Sequence, residues 1–102
     1  MRAKTDRLHD EAVAELLRSD PAFAADYLNA AMEEADKPGG REALLMALRH
    51  VAEARGMAQV ARSAGVQRES LYRALSPRGN PTIKTLLAVL QATGLRLSVG
   101  QR

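Results

Sequence analysis

The sequence predicts an all-α protein, a small helical bundle with at most one short C-terminal β-strand. Three observations carry that expectation. Apolar residues recur at helical spacing along most of the chain and stop at Pro or Gly. The core must be built from Leu, Val, Ala and Met, because there is no Trp, one Phe and two Tyr in a chain that is 46% apolar. Ala, Leu, Met, Glu and Arg are also the strongest helix formers. Finally, 102 residues make one small domain with a modest core.

The elements follow in order. Residues 1–8 show no periodicity and are expected to fray. "HDEAVAELLRS" places Val13, Leu16 and Leu17 on one side of a short helix. "SDPAFAADYLNAAMEEAD" begins with Ser19 or Asp20 as N-cap and Pro21 at the first helical position, and its stripe is Phe23, Tyr27, Leu28 and Ala31. "KPGG" then breaks the chain, dividing an acidic N-terminal helical segment, residues 1–40, from residues 41–102. "REALLMALRHVAEARG" carries Leu44, Leu45, Leu48, Val51 and Ala52 on one face and stops at Gly56. Two very short helical patterns follow, "MAQVARSA" and "RESLYRAL", joined through "GVQ". After the loop "SPRGNP", the helix "TIKTLLAVLQATG" starts at Thr82 as N-cap, buries Ile83, Leu86, Leu87 and Leu90, and stops at Gly94. "LRLSV" alternates apolar and polar residues, as a strand would.

Charge separates the chain more sharply than its net +3 suggests. Met1–Ala54 holds 7 Lys/Arg against 11 Asp/Glu, a net of −4, whereas Arg55–Arg102 holds 8 against 1, a net of +7. A basic half calls for a polyanion, and an acidic half can meet a basic protein. Without cysteine there are no disulfides or thiolate metal sites, as suits a reducing cytoplasm. The N-terminus has no apolar signal region and no run is long enough to span a bilayer, so a cytoplasmic protein without membrane contact is expected.

Helices of about two turns are unstable alone, so the two short ones must pack on their neighbours. Counted from Met57, small or apolar residues fall at Val60, Ala61, Ala64, Val66, Leu71 and Ala74, with Gly65 between the helices. That is the spacing of a helix-turn-helix. Ala61 lets the second helix cross closely, Gly65 supplies a positive φ, and Val60, Ala64, Val66 and Leu71 fill the angle. The polar face of the second helix then turns outward: Gln67, Arg68, Glu69, Ser70, Tyr72 and Arg73. In such a motif this turn enters the major groove. Arg68 and Arg73 can fork onto guanine, and Glu69 can accept from the cytosine amine. Tyr72 suits packing or a phosphate as well as a base. Gln59 and the following loop flank the groove, with Arg78, Asn80, Thr82 and Lys84 as phosphate contacts. One short helix touches few bases, so a homodimer on an inverted repeat is expected, with half-sites about 34 Å apart and "LRLSV" able to pair across the two-fold axis.

Other chemistries find no support. His9 and His50 lack metal-ligand spacing, no base stands beside any serine at a recognisable spacing, and "KPGGRE" is not a phosphate loop. The expectation is a protein that is not an enzyme and needs no cofactor.

From Arg41 to Val99 the sequence resembles the small addiction-module antidote proteins of bacteria, of the HigA-like, Xre-related helix-turn-helix type. "RGMAQVAR", "AGVQRESLYRALSPRGNPT" and the closing "LRLSV" carry the likeness, and "DPAFAADYLNAAMEEAD" fits the preceding segment. Members commonly have Ser or Asn before the "RESLY" run; this chain has Gln67, a poor cap. The resemblance implies an antitoxin that represses its own operon and neutralises a small basic toxin of the RelE/HigB kind, with residues 1–40 toward the toxin. The rival readings are a phage-type helix-turn-helix regulator without a toxin and a helical protein-interaction module whose basic face is incidental.

Overall fold

In the computed structural model, which describes residues 4–101, six helices follow one another. They are α1 Lys4–Ser19, α2 Pro21–Glu33, α3 Gly40–Arg55, α4 Met57–Ala64, α5 Arg68–Ala74 and α6 Ile83–Ala92. α1 begins at Lys4, ahead of the first apolar periodicity, so the expectation of a frayed start across residues 1–8 fails for its later part. Helix propagation needs no apolar stripe once later turns have nucleated it.

Local chemistry sets most boundaries. Asp20 alone separates α1 from α2, and its carboxylate accepts from the Ala22 and Phe23 amides at 3.1 and 3.2 Å. Pro21 follows at the first helical position, where its missing N–H costs nothing. Of the two expected caps, Asp20 is the one used; Ser19 ends α1, donating to the Glu15 carbonyl at 2.8 Å. Gly56 alone separates α3 from α4, at φ 111 and ψ 110, a conformation open to glycine and costly to any residue with a Cβ. In "KPGG", Gly40 is buried, and a Cβ there would stand 1.8 Å from the Glu34 carbonyl oxygen.

α3 is the central element, packed against α1, α2, α4 and α6. It buries Leu45, Ala47, Leu48, Val51 and Ala52, matching the stripe read from spacing, with Leu44 partly buried. Leu17, Ala24 and Leu28 join the same cluster from α1 and α2, and Met57, Val60, Ala61, Leu71, Leu75, Val89 and Leu90 join it from the other side. On α6 the face is rotated from the one expected. Thr85, Ala88, Val89 and Leu90 are buried, whereas Ile83 is 68% exposed and Leu87 41% exposed. Packing against both α3 and α4 selects that face. Residues 95–99 form no strand. Leu95 instead closes α6, its amide bonding the Leu90 carbonyl at 2.8 Å, while Leu97 and Val99 face solvent.

Candidate nucleic-acid interface

α4 and α5 are two short helices joined through Gly65, Val66 and Gln67. At the end of α4, Gly65 adopts φ 70, its amide reaches the Arg62 carbonyl at 3.2 Å, and the Val66 amide reaches the Ala61 carbonyl at 3.0 Å. This pair of bonds is the Schellman closure, which satisfies carbonyls that a helix end leaves orphaned. Val60, Ala61, Ala64 and Leu71 are buried at the junction. Val66 does not help fill it: the residue is 37% exposed and contributes its backbone bond. Ala74 is half-buried, and Leu75, which the spacing argument passed over, is 1% exposed. Burying a side chain such as Leu71 contributes about 1.5–3 kcal/mol, far more than a seven-residue helix can supply from its own hydrogen bonds.

On α5, the buried Leu71 sets the orientation of the other side chains. Arg68, Glu69 and Arg73 are exposed, Ser70 is half-buried, and Gln67 is exposed just before the helix. Gln67 holds the N-cap backbone position at φ −76 and ψ 154, yet its side chain caps nothing. Tyr72 packs partly buried against the core, and the Arg68 guanidinium lies over its ring, 5.8 Å from the centroid. A cation over an aromatic face gains about 0.5–1 kcal/mol at an exposed site. Tyr72 thus supports the arginine one turn earlier while sitting against the body of the protein.

The flanking residues come from three elements. Gln59 is exposed on α4. The loop after α5 is pulled tight: Ser76 donates through Oγ to the Arg73 carbonyl at 2.7 Å, and the Gly79 amide donates to the Ser76 carbonyl at 2.8 Å. Gly79 is buried so closely that a Cβ would stand 2.0 Å from the Ala74 carbonyl oxygen. Arg78 projects exposed from this loop. Arg41, at the start of α3, donates to the Gly79 carbonyl at 3.0 Å and to the Asn80 amide oxygen at 3.3 Å. The Asn80 oxygen is thereby engaged, while its amide protons remain to donate. Arg41 could not be found from spacing, because no local signal points to a contact across 38 residues.

Thr82 caps α6: its hydroxyl oxygen accepts from the Thr85 amide at 3.1 Å, and its proton goes to the Thr85 Oγ1 at 3.1 Å. That hydroxyl is used within the helix start. Lys84 is exposed beside the turn of the motif, where a Cβ built on Gly65 would lie 3.3 Å from its Nζ. Arg55 and Arg62 are exposed as well, adding cations to this half of the chain.

A family model described as "Probable addiction module antidote protein" matches residues 7–101. An uncharacterised protein of Haemophilus influenzae is 43% identical over 97 residues, which cover 95% of each chain. No solved structure matches the chain significantly.

Proposed function

The chain belongs to the family of probable addiction module antidote proteins, and we propose that it is the antitoxin of a type II toxin–antitoxin module that represses its own operon through the α4–α5 helix-turn-helix. The observation that carries this reading is the exposed start of α5. Two helices held together by a buried joint present Gln67, Arg68, Glu69 and Arg73 to solvent from the basic half of the chain. Arg68 and Glu69 read base edges, as side chains at the first turn of a recognition helix do. Arg78, Asn80 and Lys84 contact phosphates and supply affinity without sequence information. Ser70, Tyr72 and Arg73 complete the groove face, with Gln59 at its edge.

The functional unit is a homodimer on an inverted repeat. Ile83 and Leu87 support it, being exposed apolar residues one turn apart on α6, together with the unpaired, exposed Leu97 and Val99 of the tail. Residues 41–102 form the DNA-binding part. Residues 1–40, with most of the acidic charge, face a basic RelE/HigB-like toxin.

The test is a titration on the DNA upstream of the gene and on a scrambled duplex at several salt concentrations. Arg68→Ala should lose roughly 1–3 kcal/mol on the operator and much less on the scramble. Lys84→Ala should weaken both alike and lower the salt slope by about one ion. Equal losses for Arg68→Ala on the two duplexes would make the face an electrostatic surface. Co-expression with the neighbouring gene's product separates the antitoxin from a phage-type regulator, which would neutralise nothing.

A further inference from the structure

A second concave site lies on the face where α1, α2, α3 and α5 meet. It is a cleft of about 720 Å³, within the roughly 300–1,000 Å³ range of small-molecule sites. Its wall is apolar at Val13, Leu17 and Ala54, and Tyr27, His50, Arg49 and Tyr72 bring polar groups to it. The Tyr27 hydroxyl and His50 Nδ1 are 2.7 Å apart, and burial raises the Tyr27 pKa above its ordinary value. The phenol therefore keeps its proton near neutral pH.

The charges differ in how they are held. Arg18 is paired with Glu15 at 2.6 Å, and Asp10 is engaged in an interaction of its own. Arg49 is half-buried and makes no ion pair among the described residues, although Glu53 lines the same cleft. An arginine whose donors are unused, beside an apolar wall, is suited to a carboxylate on an apolar body.

The geometry points to a binding site for a small amphipathic organic anion: its carboxylate on Arg49, its apolar body between Val13, Leu17 and the Tyr72 ring. Because Arg68 rests over that same ring, an occupant touching Tyr72 alters the position of Arg68, and binding in the cleft is linked to binding at α5. The cleft stands independently of DNA binding; the linkage rests on the DNA-reading role proposed for Arg68.

The probes are 1-naphthoate and its neutral analogue 1-naphthalenemethanol, titrated into the full chain by calorimetry and by amide chemical shifts, first without DNA. Naphthoate should bind and shift the amides of Arg49 and Tyr72. Arg49→Gln should weaken it about tenfold or more while leaving the alcohol nearly unchanged. Ala14→Phe, which fills the cleft but keeps the arginine, should block both probes, with thermal melts verifying that each variant folds. Failure of naphthoate to bind at millimolar concentration, or binding indifferent to Arg49→Gln, overturns the site. In the second arm, naphthoate at a concentration that fills the wild-type cleft and leaves that of Arg49→Gln mostly empty should change operator affinity severalfold in the wild type and little in the variant. Binding in the cleft with no such change removes the linkage alone. Absence of operator binding without any probe counts against the proposed function and leaves the cleft standing.

Discussion

α5 and α6 begin in the same kind of extended backbone, at Gln67 and Thr82, and the two starts are finished differently. Thr82 turns its hydroxyl inward, taking the Thr85 amide and closing the helix start. Gln67 leaves its side chain outside, and the first turn of α5 receives no side-chain cap. α6 can hold its own start because its task is to pack against α3 and α4. α5 is held from behind, by Leu71 and Leu75 in the core, and its first turn is exposed. One face of this seven-residue helix is thus buried in the core and the other is exposed, the face proposed for recognition.

The largest change should come from removing that support. Leu71→Ala deletes a side chain with no exposed surface and should cost about 2–5 kcal/mol. Urea unfolding measures it, and a loss below 1 kcal/mol, on the order of a cap, would mean that α5 is not held by packing. The cap on α6 comes next: Thr82→Ala should cost about 1 kcal/mol in the same assay. An unchanged midpoint would show that the Thr82–Thr85 pair adds nothing. The smallest change sharpens the contrast from the other side. Gln67→Ser supplies the missing cap in a backbone already suited to it and should stabilise the fold by roughly 0.5–1 kcal/mol. If the glutamine side chain serves recognition, operator affinity should fall in the same variant. A gain in stability with unchanged DNA affinity would make Gln67 a neglected cap and nothing more.

Several positions that carry these arguments were legible from spacing. The motif from Met57 to Leu71 could be read because each role depends on neighbours within a few residues: a small side chain at a crossing, a glycine at positive φ, apolar residues at helical intervals. The same locality explains the failures. Val66 and Leu75 are both apolar residues near the joint, and only the path of the chain after Gly65 decides that Leu75 is buried and Val66 half-open. On α6, Leu86 and Leu90 pack into the core as the spacing implies, whereas Ile83 and Leu87 give way to Thr85, Ala88 and Val89, because α3 and α4 cover only one of two equally regular faces.

Taken alone, the sequence determined the helical class, the breaks at Asp20–Pro21, Gly56, Gly65 and Gly94, the cap at Thr82, and the division of charge between the two halves. These are properties of single residues or of residues within one turn of each other, where backbone sterics and local hydrogen bonds decide the outcome. Only the tertiary structure decided that Arg41 ties down the loop bearing Arg78 and Asn80. It alone set Tyr72 between Arg68 and a cleft built from three other helices, and left Ile83 and Leu87 in the open. Each of those depends on which surfaces meet across long stretches of chain. That is settled by the competition among apolar faces for one small core, and no local spacing encodes its result.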